Sequence, residues 1–341
     1  MERRSLVIVL TIAAVALAVA AVLVTTRDDS SDTAATTSAP VADTTTSLPD
    51  QSTTTSSTNA QATTTTSLPA GPPLPADACA PYTSITTVAS VASDSLVETS
   101  GIAASRTRPG VLWAHNDSRD GARVYAIGPD GSDLGGFDIA GAFAFDWEDM
   151  AAGPGADPAT SNLYFGDIGD NFSIRGGRIT VYRVAEPDPD GLEGPITGAT
   201  ALEFEYPDGT YNAEALFVVD QSIYIVTKDR DEARVYRGSG EGDGSRVETL
   251  ELVTTLSLGA EVSGADVSWD DSTIALRGYD TVWLWRKTAG ASVAEALAGE
   301  PCEAPSPDEV QGEAIAFVSD GGYQTISEGE RPDIFLIPFD A

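Results

Sequence analysis

From about residue 79 to the C-terminus, apolar and polar positions alternate in short runs, and the runs recur. "TSGIAAS" at Thr99, "WEDMAAG" at Trp147, "NAEALFV" at Asn212, "SGADVSW" at Ser263 and "QGEAIAF" at Gln311 share one outline. Their apolar centres, Ile102, Met150, Leu216, Val267 and Ile315, are spaced by 48, 66, 51 and 48 residues. A second apolar run follows each: "VLWAHND", "NLYFGDI", "SIYIVTK", "STIALRG" and "YQTISEG". A third follows that: "ARVYAI", "RITVYRV", "ARVYRG", "TVWLWRK" and "DIFLIPF". The first three units add outer runs, "DLGGFDIA", "GATALEFEYPDG" and "VETLELVTTLSL". Runs of this length between Gly, Asp and Pro turns are strands, and a fixed period near 50 residues marks a repeat architecture. Helical spacing occurs only in "SVAEALAG".

Four short strands per repeat define the blade of a β-propeller. A two-sheet sandwich would account for the strands but not for their five-fold recurrence. The expected fold is therefore all-β, a propeller of five blades, with six left open by the long second interval. The last repeat ends at Ala341 after three strands, so its outer strand must come from elsewhere. "YTSITTVASV", residues 82–91, is the expected closing strand, since pairing it with the final blade removes two exposed edges. Trp113, Tyr164, Tyr224, Trp283 and Trp285 fall inside strand patterns and are expected in the core.

The first 78 residues read differently. Arg3 and Arg4 precede an uncharged apolar run, residues 6–24, just long enough to span a bilayer core of roughly 30 Å. The basic flank keeps the N-terminus cytoplasmic and exports the remainder of the chain. Residues 1–26 are thus expected to be a membrane anchor, with a cleaved signal peptide as the alternative. Residues 27–78 are Thr, Ser, Ala and Pro without aromatics or periodicity, the composition of a disordered stalk. Residues 79–341 form the propeller domain, extracytoplasmic and tethered, or secreted if the leader is removed. Its two cysteines, Cys79 and Cys302, are expected to pair in an oxidising compartment, near the seam between the last two repeats.

Charge narrows the ligand classes. The propeller domain carries 45 acids and 16 bases, a net charge of −29, which repels nucleic acid and attracts cations. The membrane is expected to be met only through the N-terminal run. With one histidine in the chain, a structural zinc site is not expected. No glycine-rich phosphate loop, GxSxG elbow or Ser/His/Asp arrangement is present.

In an up-and-down blade, the start of the inner strand and the turn from second to third strand share one face. The inner starts carry Glu148 and Asp149, Glu214 and Glu313, with Asp266 close by in the fourth unit. The turns carry His115, Asn116 and Asp117; Asp167, Asp170 and Asn171; Lys228 and Asp229; Arg277; and Glu328 and Glu330. These converge on one mouth of the central channel, where loops on a rigid scaffold form ligand sites. Carboxylates and amides suit Ca²⁺, a hard cation taking six to eight oxygens. The expected metal set is Glu148, Asp167, Asp170, Asn171, Glu214 and Glu313. The expected ligand-binding set is His115, Asn116, Asp117, Asp149, Lys228, Asp229, Arg277 and Glu328. The alternative for each acid is a turn cap or an ion pair with a nearby arginine.

Taken together, "HNDS", "DWEDMA", "GDIGDN", "NAEAL" and "QGEAIA" resemble the signature of a group of exported bacterial β-propellers. The resemblance covers nearly all of residues 79–341. More distantly the chain is similar to phytase-like propellers, whose characterised members use calcium at one face to handle phosphate esters. The chain lacks their fuller acidic and basic pattern, with only Lys228 and Arg277 standing out as phosphate binders. The resemblance carries over the fold and the face but not a reaction, and one reading is a tethered binding module for a cation, small molecule, glycan or protein. The alternative is a calcium-dependent phosphoesterase or a lactonase-like hydrolase.

Overall fold

In a computed structural model, residues 78–117 and 120–340 are described. The expected anchor, nearly all of the stalk, and Ser118 and Arg119 lie outside the described residues. No helix among the described residues is long and apolar enough to cross a membrane.

Among the described residues, twenty-one strands form five sheets. Blade 1 runs β2 (Thr99–Ala104), β3 (Leu112–Asn116), β4 (Arg123–Ile127) and β5 (Asp133–Asp138) from the axis outwards. Blade 2 is β6 (Trp147–Pro154), β7 (Ser161–Asp167), β8 (Arg178–Ala185) and β9 (Thr200–Glu205). Blade 3 is β10 (Ala213–Val219), β11 (Ser222–Thr227), β12 (Ala233–Ser239) and β14 (Glu251–Leu256). Blade 4 is β15 (Gly264–Val267), β16 (Thr273–Arg277), β17 (Val282–Arg286) and β18 (Cys302–Ala304). Blade 5 is β19 (Gly312–Phe317), β20 (Tyr323–Ser327) and β21 (Asp333–Ile337), completed by β1 (Thr86–Ser90). Five blades, closed by the N-terminal strand, is the expected architecture.

The closure is antiparallel, with Thr86 opposite Leu336 and Ser90 opposite Asp333. Cys79 precedes β1 and is bonded to Cys302 on β18, with Cα atoms 6.0 Å apart. The bridge thus ties the segment preceding β1 to the outer strand of blade 4, at the seam where the ring closes. The apolar segment with helical spacing is α1 (Val293–Leu297), started by a Ser292–Glu295 capping box.

The core is divided among the seams between blades. Five apolar clusters occur among the described residues, and each draws its side chains from two neighbouring blades. Inner and second strands are buried on both faces, whereas the outer strands β1, β5 and β14 are largely exposed. This is why the repeats read as near-continuous apolar runs near the axis and as alternating runs outside it. Trp113, Tyr164, Tyr224, Trp283 and Trp285 are all buried in these clusters.

The third outer run departs from expectation. Leu250 turns inward, and the run splits into β13 (Glu248–Thr249) and β14. The short β13 pairs in parallel with β9, so it extends blade 2 while β14 completes blade 3.

Candidate functional site

The mouth is shaped by a defect repeated in four of the five inner strands. Pairing between β2 and β3 skips from Thr99 to Gly101, between β6 and β7 from Trp147 to Asp149. It skips again from Ala213 to Ala215 and from Gly312 to Ala314. The extra residues are Ser100, Glu148, Glu214 and Glu313. A bulge re-aims one side chain and kinks the strand, which is how three glutamates leave the pleat at one end of the channel. β15 pairs without interruption, Gly264 opposite Arg277 through Val267 opposite Ile274. Blade 4 therefore contributes no matching acid. Asp266, expected near the mouth, lies deeper, where its Oδ2 accepts the N–H of Phe317 at 2.7 Å. Phe317 is the last residue of β19, so this carboxylate serves the far end of the channel.

Between blades 1 and 2, carboxylate oxygens of Asp117, Asp146 and Glu148 lie within 4.8 Å of one another. Asp117 follows the end of β3, and Asp146 immediately precedes β6. Glu148 is 5% exposed, and its Oε1 has no hydrogen-bond partner. Gly169 borders this space: a Cβ there would collide with Glu148 Oε1 and come within 2.6 Å of Asp146 Oδ2. Burial, with help from Asp117, pushes Asp146 up to about 6. Burial and the charges of Glu214, Asp117 and Asp146 push Glu148 well above the usual carboxylate range. A buried, unpartnered oxygen facing two more carboxylates is costly unless a proton or cation sits among them. The donor set is all oxygen, which suits a hard divalent cation. The triad is therefore chemically able to hold a metal.

The remaining acids form a second group across the channel. Glu214 pairs with Lys228, Oε2 to Nζ 2.6 Å, and the ammonium lies 5.3 Å from the centre of the Tyr279 ring. Burial alone would lower Lys228, but Glu214 and Tyr279 raise it, so it stays charged. Asn212 donates to Glu214 and to Asn171, and Gln311 donates to Glu313 at 2.8 Å. Burial pushes Glu313 up to about 8 and Glu328 to about 7, helped by Glu214 in both cases.

Several expected residues are engaged elsewhere. The Asp167 carboxylate pairs with Arg175 and accepts the N–H groups of Phe145 and Asp146. Asp170 accepts the N–H groups of Ile174 and Arg175, capping its own turn. Asp229 does the same for Asp231 and Glu232. Asn116 accepts from Val97 and Glu98 and donates to Ser95 and Asp120, fastening the turn that leads into β2. Asp149 is fully buried on the axis and bonds three backbone N–H groups. His115 is fully buried, its Nδ1 2.8 Å from the Asn116 carbonyl, and burial lowers it to about 4. It is neutral at physiological pH and buried from any ligand in the channel.

Arg277, expected to bind an anion beside Lys228, is corrected by the structure. It is fully buried, its guanidinium taken by Glu309 and by the Ala314 carbonyl at 2.9 Å. A strand-end arginine reads as surface in the sequence, because its distant partner Glu309 cannot be seen there. Asp146, Asn212, Gln311 and Tyr279 were not foreseen as site residues. Asp146 offered a signal, as an acid directly before the aromatic start of an inner strand. Asn212 and Gln311 offered another, each an amide two residues before a bulge glutamate.

No family model matches the chain, and no curated protein matches it. Among solved structures, it is similar to the PQQ-bound aldose sugar dehydrogenase of Streptomyces coelicolor. That match has 14% identity, a TM-score of 0.41, and covers 74% of this chain and 97% of the other. The apo aldose sugar dehydrogenase of Escherichia coli gives 8% identity, a TM-score of 0.41, and coverage of 74% and 98%. A streptogramin B lyase gives 10%, 0.39, and coverage of 74% and 96%. At these values neither activity nor cofactor passes to this chain.

Proposed function

We propose that this domain is an exported, cation-dependent binding module. In this reading Asp117, Asp146 and Glu148 hold a Ca²⁺ ion at the channel mouth. The observation that carries it is Glu148 Oε1, buried without a partner against two further carboxylates. Glu214, Glu313 and Glu328 surround the ion at longer range, and Lys228 supplies one fixed positive charge among them. A ligand with both an oxyanion and hydroxyls, such as a small acid or an acidic glycan, suits that pairing. Export is supported by the disulfide, a bond that persists in oxidising compartments. Tethering rests on residues 6–24 and their basic flank.

Thermal melting of the full-length protein in Ca²⁺ and in chelator tests this proposal. Ca²⁺ at about a hundred times its dissociation constant should stabilise the fold by about 2.7 kcal/mol. Glu148→Gln should remove the response, and the paired change Asp167→Asn with Asp170→Asn should leave most of it. The reverse pattern would move the ion to the 167–171 turn.

A hydrolytic reading has one observation in its favour. Burial raises Glu313 to about 8 and Glu328 to about 7, at and just above neutral pH, where a carboxyl can give and take protons. A phosphoester and lactone screen with and without Ca²⁺ tests it, and turnover lost in Glu313→Gln is the expected signature.

A further inference from the structure

The base that the channel mouth presents is locked to an acid. Lys228 Nζ lies 2.7 Å from Glu214 Oε1 and 2.6 Å from Oε2, so one ammonium engages both oxygens of the carboxylate. Its side chain keeps 20% of its surface exposed, so a ligand entering the mouth can reach it. Arg175 and Arg277 are likewise taken, by Asp167 and Glu309. The acid group of a ligand therefore meets no free charge on these three bases. Glu214 also faces the triad. Its charge is the largest of those acting on Glu148, ahead of Asp117 and Asp146. Both glutamates are bulge residues, on the inner strands of adjacent blades. A cation among Asp117, Asp146 and Glu148 turns their repulsion into attraction. Ca²⁺ takes six to eight oxygens, and one oxygen from each triad carboxylate leaves such an ion short.

We propose that the Glu214–Lys228 pair is a mask that the ion removes. The mechanism rests on the cation reading. A divalent ion held by the triad takes Glu214 as a fourth carboxylate, and Lys228 is left with a free ammonium. That ammonium receives the carboxylate of an acidic sugar in a charge-assisted hydrogen bond, while the sugar hydroxyls face the ion. The cation binds first and the acid second, because without the ion Glu214 already fills the place of the ligand's carboxylate.

The chain has two lysines, which makes the mask measurable. Lys287 follows the end of β17, away from the mouth, and serves as the control. The full-length protein is acetylated with an amine-reactive ester at one fixed pH, in Ca²⁺ and in chelator, and both lysines are quantified by peptide mass spectrometry. Ca²⁺ should speed the labelling of Lys228 about tenfold, the gain in free amine when a pKa falls by one. Lys287 should not change. Glu148→Gln should abolish the acceleration. D-galacturonate added with Ca²⁺ should slow Lys228 labelling again, and in chelator it should do nothing. Calorimetric Ca²⁺ binding with unchanged Lys228 labelling overturns the mask while leaving the cation reading in place. No Ca²⁺ binding at all sinks the cation reading and the mask with it. Equal protection by galacturonate in Ca²⁺ and in chelator overturns the order of binding, and no protection of a freed Lys228 overturns the choice of an acidic sugar.

Discussion

The Asp149 carboxylate accepts the backbone N–H of Leu216 at 2.8 Å, across 67 residues of sequence. The same oxygen takes the N–H of Ala265 at 3.0 Å, and the other takes that of Met150 at 2.8 Å. One fully buried side chain thereby joins the inner strands of three blades on the axis. Asp149→Ala strands three buried donors, each costing about 1–3 kcal/mol. The expected loss is at least about 3 kcal/mol in urea denaturation. A loss below about 1 kcal/mol would mean that the inner strands hold together without this carboxylate.

The Cys79–Cys302 bond closes a loop of 223 residues, nearly the whole domain. In the chain-entropy model so large a loop is worth about 5 kcal/mol. Cys302→Ala should lower the melting temperature while circular dichroism stays β-rich, because β1 still pairs with β21. Unchanged melting, or two free thiols in the unfolded oxidised protein, would count against the bridge.

Asp271 gives a pH dependence with a definite sign. Burial, reinforced by Asp220, raises its carboxyl to about 6. A carboxyl raised by folding stabilises fully below its unfolded value near 3.8, and that contribution fades as pH climbs through 6. Asp271→Asn should therefore stabilise by on the order of 2 kcal/mol at pH near 7.5, allowing for solvent screening. At pH near 3.5 the gain should vanish. Asn also tolerates the positive φ of 56° at this position. Equal stabilisation at both pH values would assign the effect to the backbone instead.

The ring was legible because each repeat had to bury two faces near the axis, leaving apolar runs at a fixed period. Closure was legible because a final blade of three strands leaves an edge that only residues 82–91 could cover. The bulges were not. Whether Glu148 sits in the pleat or springs from it depends on a one-residue slip in pairing, which period-two patterning does not record. For the same reason "SGADV" looked equivalent to the other inner strands, and Asp266 was expected at the wrong end. Asp167 and Asp170 drew notice for their density of oxygen. Their donors, Arg175 and the turn backbone, become neighbours only when the turn folds.

Gly169 allows the proposed cation site to be closed without touching its charge. Gly169→Ala places a methyl group against Glu148 Oε1 and Asp146 Oδ2, in the space an ion would share with them. All carboxylates remain, so the long-range attraction for cations is unchanged. The variant should keep its fold in chelator and gain nothing from Ca²⁺. A normal Ca²⁺ response would mean that the ion does not approach Gly169.

The most direct measurement is calorimetric titration of Ca²⁺ into the full-length protein, with Glu148→Gln run beside it. The account predicts one saturable site per chain for wild type and none for the variant. No heat of binding at millimolar Ca²⁺, or identical isotherms for the two proteins, would contradict it.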